Sequence, residues 1–120
     1  MIYTDSRSPK VEALTTHPIA EITCYDPRKK LQVRAKCDCR IIQSGNLYDQ
    51  HQEKASKRAT DYSTDVAPGV AADTYGHADE MHFALIEATV VSYDALLLGQ
   101  PHHRVRYDRA NNWLGTTLVP

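Results

Sequence analysis

The chain lacks nearly everything that would mark a secreted, membrane-spanning or nucleic-acid-binding protein. Its 120 residues hold no apolar run near the roughly 18 to 20 residues of a membrane helix, and no charged-then-apolar leader precedes a small-residue cleavage site. The expectation is a cytoplasmic protein with no membrane partner. Cysteine is scarce, at three. So small and odd a number makes no disulfide framework, and Cys37 and Cys39, on the same face of an expected strand, are poorly placed to bridge each other. All three are expected as buried thiols, and with no second close Cys or His pair at ligand spacing no metal is expected. Neither sign of charge is in excess. Lys and Arg number 14 against 15 Asp and Glu, for a net charge of -1, and the cations are spread out, so no nucleic-acid partner is expected.

What the chain does have is 42% apolar residues, enough for one modest core and hence a single domain over residues 1–120. It opens on Tyr3-Thr4-Asp5-Ser6-Arg7-Ser8-Pro9-Lys10, which places hydroxyls, a guanidinium and an ammonium at an expected strand-to-helix junction. Tyr3 and Thr4 end the strand, Asp5 or Ser6 can cap the helix, and Pro9 suits its first turn, where a missing N–H costs nothing. Free backbone N–H groups, the helix dipole, Arg7 and Lys10 would then face one anion. The plainer reading of this spacing alone is a capped surface helix with two solvated cations.

Val11, Ala13 and Leu14 give that helix a short apolar face, and it should stop at His17-Pro18. Ile19 to Tyr25 reads as a strand, Asp26-Pro27-Arg28-Lys29 as a hairpin turn, and Leu31 to Ile41 as a strand of nearly perfect alternation. Leu31, Val33, Ala35, Cys37, Cys39 and Ile41 face one way; Gln32, Arg34, Lys36, Asp38 and Arg40 face the other. Leu47 to about Thr60 should be helical, packing through Leu47, Tyr48, Ala55 and Ala59. Asp61 to Glu80, with Pro68, Gly69 and Gly76, reads as a covering loop over a site or a partner. Strands are expected over Phe83 to Tyr93, Ala95 to Leu98, His103 to Asp108 and Trp113 to Val119. Turns at Gly99-Gln100-Pro101 and Ala110-Asn111-Asn112 separate the later ones. The fold class is α+β, mainly β: a small antiparallel barrel. His77, His82, His102 and His103 are taken as solvated or ligand-facing residues.

Taken in order, Tyr3 to Lys10, Pro18, Leu31-Gln32-Val33-Arg34, Pro68-Gly69, His103-Arg104-Val105-Arg106-Tyr107 and Trp113 to Leu118-Val119-Pro120 resemble the pyridoxamine 5'-phosphate oxidase-like family. The resemblance spans the chain and implies the FMN-binding split β-barrel. It also implies a homodimer with FMN at the interface. On the positions that match, Tyr3, Thr4, Ser8 and Lys10 would contact the FMN ribityl phosphate. Arg7 is displaced from the arginine of the true oxidases and resembles a sub-branch with arginine before serine. Gln32 would contact the flavin, and Arg106 would approach it, across the interface. No side chain is implied as the catalyst, because the flavin carries the hydride chemistry and the protein positions it.

The sequence departs from the true oxidase in three places. Ala95-Leu96-Leu97-Leu98 stands where that enzyme has a tryptophan at the flavin. Its Arg-x-His substrate residues correspond to His102-His103-Arg104, which leaves His103 and Arg104 as candidate substrate-binding residues and argues against vitamin B6 as the substrate. The upstream strand pair with its Arg-x-x-x-Arg or Arg-x-x-x-Lys block is lacking, so an N-terminally short barrel with open edges is expected. Two functions of different class follow: an FMN-binding oxidoreductase acting on an unidentified small molecule, or a non-catalytic split-barrel dimer or truncated family member with weak or no flavin binding. A heme- or deazaflavin-binding relative fits less well, since Ser8 and Lys10 suit an FMN phosphate.

Overall fold

The computed structural model describes residues 1–57 and 82–120. The expected covering loop at 61–80, Pro68-Gly69 and the last residues of the expected second helix lie outside them. The described elements are β1 (Ile2–Asp5), α1 (Pro9–Thr16), β2 (Ile19–Asp26), β3 (Leu31–Ile42), α2 (Asn46–Lys57), β4 (Phe83–Leu97), β5 (His103–Asp108) and β6 (Gly115–Leu118). Two compact units share them: Met1–Pro18 with Cys39–Ala88, and Ile19–Asp38 with Thr89–Pro120.

In the first unit β1 lies antiparallel on the start of β4, with Tyr3 opposite Leu85 and Asp5 opposite Phe83. Phe83 and Leu85 are buried with Ala55 of α2, and Tyr3, Ile42 and Tyr48 pack around them. Tyr48 and Ala55 are two helical turns apart and therefore share a face. Leu47, expected to pack with them, lies off that stripe and is exposed. The Tyr48 hydroxyl donates to the Phe83 carbonyl at 3.2 Å, which pins the helix to the strand. Helix α1 starts with Pro9 in its first turn, as expected, but its cap is Ser8 rather than Asp5 or Ser6. The reason is local: the Asp5 carboxylate is taken by Arg7.

In the second unit the strand order is β2-β3-β4-β5-β6, and the sheet is not closed. The β2–β3 hairpin forms where Asp26 Oδ1 accepts the N–H groups of Arg28 (2.9 Å) and Lys29 (3.3 Å), the local bonding that makes aspartate a turn former. Alternation along β3 is observed where it matters most. Ala35 and Cys37 are buried, and Cys39, in the first unit, is buried too; Arg34, Lys36, Asp38 and Arg40 are exposed. Leu31 and Val33 are only half-buried.

Three expectations are corrected here. Cys24 is exposed rather than buried, because β2 is an edge strand. The expected break between Tyr93 and Ala95 does not occur; β4 runs on to Leu97, with the charge of Asp94 neutralised across the ladder by Arg104. The last strand starts at Gly115, not Trp113, because Asn112 (φ 51°) and Trp113 (φ 60°) are left-handed and complete the turn after β5. Trp113 holds that conformation with its N–H on the Asp108 carbonyl at 2.8 Å and its ring against Tyr93.

The exposure of Cys24 has a chemical consequence. Burial, then the neighbouring Asp38 charge, push the Cys37 thiol above its usual range and suppress its thiolate. With a thiol reagent such as DTNB, the native protein is expected to react quickly at Cys24 alone, while Cys37 and Cys39 react only after denaturation. Three fast thiols in the native protein would contradict this packing.

Candidate functional site

The opening block folds into a tight turn that gathers its polar groups. Ser8 N–H donates to the Asp5 carbonyl at 3.0 Å, and Ser6 N–H donates to the His82 carbonyl at 3.1 Å, tying the turn to the residue before β4. Inside the turn the Asp5 carboxylate, 5% exposed, accepts Arg7 N–H at 2.8 Å, Arg7 Nε at 2.9 Å and the terminal guanidinium nitrogen at 2.7 Å. Burial pushes the Asp5 carboxyl up, but the Arg7 hydrogen bonds, the Arg7 charge and that of His82 together outweigh it and hold it below its usual value. Arg7 is therefore committed to Asp5.

Above this pair sits a second cluster. Ser8 makes no side-chain capping bond, so its hydroxyl is available to Thr4, whose Oγ1 lies 3.3 Å away; Thr4 and Ser8 are 4% and 8% exposed. Lys10 brings its Nζ to 3.4 Å from Thr4 Oγ1. Lys10 has no carboxylate partner among the described residues. Two buried hydroxyls and an uncompensated ammonium thus meet at the N-terminus of α1. A dianionic phosphate suits this donor set: the hydroxyls can donate to it, Lys10 matches its charge, and the helix dipole adds to both. Tyr3 stands apart from this trio. Its hydroxyl bonds His51 Nδ1 on α2, and its ring meets Phe83 edge-on.

The remaining candidates lie in the second unit. Gln32 is opposite Tyr25, Arg104 opposite Leu96 and Arg106 opposite Asp94. Arg34 reaches Asp94 at 3.5 Å, so Gln32, Arg34, Arg104 and Arg106 share one face of the sheet. His103 faces the other way, opposite Leu97. The two candidate substrate residues therefore fall on opposite faces. Arg104 grips Asp94 with Nε at 2.9 Å from Oδ1 and its terminal nitrogen on Oδ2, and Arg106 pairs with Asp108 at 2.8 Å. The hydrogen bond from Arg104 holds the Asp94 carboxyl below its usual value against the opposing effect of burial, with the charges of Arg104, Arg34 and Arg106 adding to it.

Asp5, His51, Asp94, Lys36 and Ser92 were not singled out as site residues in the sequence. Lys36 had a signal, since it follows Gln32 and Arg34 on the polar face of β3. His51 had none that could be read without knowing that α2 packs on β1.

No family model matches the sequence, and no curated protein does. Solved structures do share its fold. A pyridoxamine 5'-phosphate oxidase-related, FMN-binding protein of Nostoc punctiforme superposes over 98% of this chain and 71% of its own, at 22% identity and a TM-score of 0.64. PhzG of Burkholderia lata, solved in complex with tetrahydrophenazine-1-carboxylic acid, covers 99% of this chain and 67% of its own, at 19% identity and a TM-score of 0.67. The chain therefore has the fold of FMN-binding split-barrel proteins, the fold that its ordered sequence blocks imply.

Proposed function

We propose that this chain, built on the split-barrel fold, is a member of the pyridoxamine 5'-phosphate oxidase-like family that binds FMN and acts as an oxidoreductase on a small molecule. The observation that carries the reading is the trio of Thr4, Ser8 and Lys10: two buried hydroxyls and, at a helix N-terminus, an ammonium with no carboxylate partner among the described residues, at the position where the family resemblance assigns the phosphate. When bound, FMN supplies hydride and electron transfer. The chain's part is to hold it. Thr4 and Ser8 donate to the phosphate, Lys10 balances its charge, and Arg7 keeps the neighbouring Asp5 carboxylate from repelling it. Gln32 and Arg106, on one face of the second unit, are assigned to the flavin, and Arg104 and His103 to the substrate.

The same reading includes a homodimer. Tyr93, Leu97 and Tyr107, on the face of β4 and β5 opposite Asp94, and Trp113, packed against Tyr93, are 38 to 41% exposed, an apolar surface of the kind that a partner covers.

Titration of FMN into the purified protein tests this function, with flavin fluorescence as the readout. Saturable quenching is expected, with riboflavin at least about tenfold weaker because it lacks the group that the cradle holds. A protein that quenches neither flavin would return the chain to the non-catalytic class. Equal affinity for the two would remove Thr4, Ser8 and Lys10 from the site. Light scattering at the titration concentrations should return the mass of a dimer.

A further inference from the structure

On the polar face of the second unit, β2, β3, β4 and β5 line an open pocket of about 150 Å3 walled by Glu21, Arg34, Lys36, Ser92, Asp94 and Arg106. We propose that this pocket is a second anion site, distinct from the Thr4–Ser8–Lys10 trio, which takes the carboxylate or phosphate group of a small ligand on Lys36 and Ser92.

The charge pattern selects an anion. Asp94 is already satisfied by Arg104, and Arg106 by Asp108. Arg34 lies loosely between Asp94 at 3.5 Å and Glu21 at 3.9 Å. Lys36 is left over. It stands opposite Glu21 in the ladder, yet the Glu21 carboxylate leans to Arg34, and Lys36 has no ion-pair partner among the described residues. With Arg104 and Asp108 counted, four cations face three carboxylates.

Ser92 points to the same occupant independently. It is 8% exposed, lines the pocket, and has no side-chain hydrogen bond among the described residues. Its hydroxyl is not sealed off either, since among the described residues no buried side-chain polar atom is left without a partner. It therefore opens into the pocket as a donor without an acceptor. A hydroxyl that opens into the pocket, with a lysine ammonium on the same wall, is matched by an oxyanion, which accepts from both, whereas a cation would meet Lys36, Arg34 and Arg106. The volume leaves room for one phosphate or carboxylate group.

This site does not depend on flavin binding, and only Arg106 is common to both readings. It is tested on the flavin-free chain with two probes, inorganic phosphate and acetate, at low ionic strength, following amide shifts by heteronuclear NMR. Phosphate or acetate is expected to shift the amides around Lys36 and Ser92 saturably, and whichever binds more tightly identifies the natural group. Lys36→Ala should weaken this binding roughly tenfold, the loss of one charge-assisted contact. Ser92→Ala should weaken it less, and Glu21→Gln should strengthen it by removing the competing carboxylate. Lys10→Ala should leave it unchanged. The proposal is overturned if neither probe shifts these amides, if Lys36→Ala binds like the wild type, or if Lys10→Ala abolishes the shifts, which would assign all anion binding to the trio at α1.

Discussion

Replacing Arg7 with alanine is expected to cost about 3 kcal/mol of stability, read as a lower urea midpoint, although Arg7 lies in a surface turn. The cost arises at Asp5. Its carboxylate is 5% exposed and receives three bonds from Arg7, two of them from the guanidinium. Removing the guanidinium leaves a buried charge whose remaining partners among the described residues are the backbone N–H of residue 7 and the more distant His82. Because the Arg7 side chain is itself 23% exposed, water can enter in its place, which puts the expected loss at the lower end for a broken buried pair.

The pH dependence distinguishes this cause from lost packing. In the wild type the folded-state pKa of Asp5 lies below the usual 3.8, so its contribution to stability is complete above that value and is lost as the pH falls through the lower, folded one. In Arg7→Ala the largest remaining influence is burial, which raises the pKa. The folded state then takes up a proton before the unfolded state does, and the deficit should shrink as the pH falls from neutral towards 4. Adding Asp5→Asn should recover part of the loss at neutral pH, since the amide oxygen still accepts the N–H of residue 7 without carrying a charge. A deficit independent of pH, with no recovery in the double variant, would place the effect in packing instead.

Asp5 also marks where the sequence stopped being legible. Asp and Ser are both good caps, and nothing in Asp5-Ser6-Arg7-Ser8 says which will serve, because the choice turns on a three-dimensional contact between Arg7 and Asp5. Asp94 is the same problem in a strand. An isolated aspartate among Tyr93, Ala95 and Leu96 reads as a break, and only the register that brings Arg104 and Arg34 to it makes a continuous strand tolerable. Local signals were enough wherever a single element decided the outcome. The β3 alternation, the Asp26 turn, Pro9 in the first turn of α1 and the stop before Pro18 all follow from backbone chemistry within a few residues. For the candidate site, the cluster of Thr4, Ser8 and Lys10 was legible because the three are neighbours in sequence. Arg104 and Arg106 share a face by the period of the strand, and the same period separates His103 from them.

Lys10→Ala is expected to weaken FMN binding by about 1.5 to 3 kcal/mol, roughly 10- to 150-fold, with little change in stability. Lys10 is exposed, and its one hydrogen bond among the described residues is the 3.4 Å contact with Thr4, so the fold loses little with it. A bound phosphate would lose its charge partner. Arg7, the nearest substitute in sequence, is held by Asp5 and cannot supply that charge without exposing a buried carboxylate. Three readouts separate this account from a general weakening. The affinity of riboflavin should be nearly the same in wild type and variant, because it has no phosphate. Added salt should weaken FMN binding to the wild type more than to the variant, since the variant lacks the cation that salt would screen. Lys10→Arg should restore part of the affinity, with the charge returned on a side chain of different shape. If FMN and riboflavin lose affinity equally, Lys10 acts on the flavin end or on the fold; if neither changes, the trio at the head of α1 does not hold the phosphate.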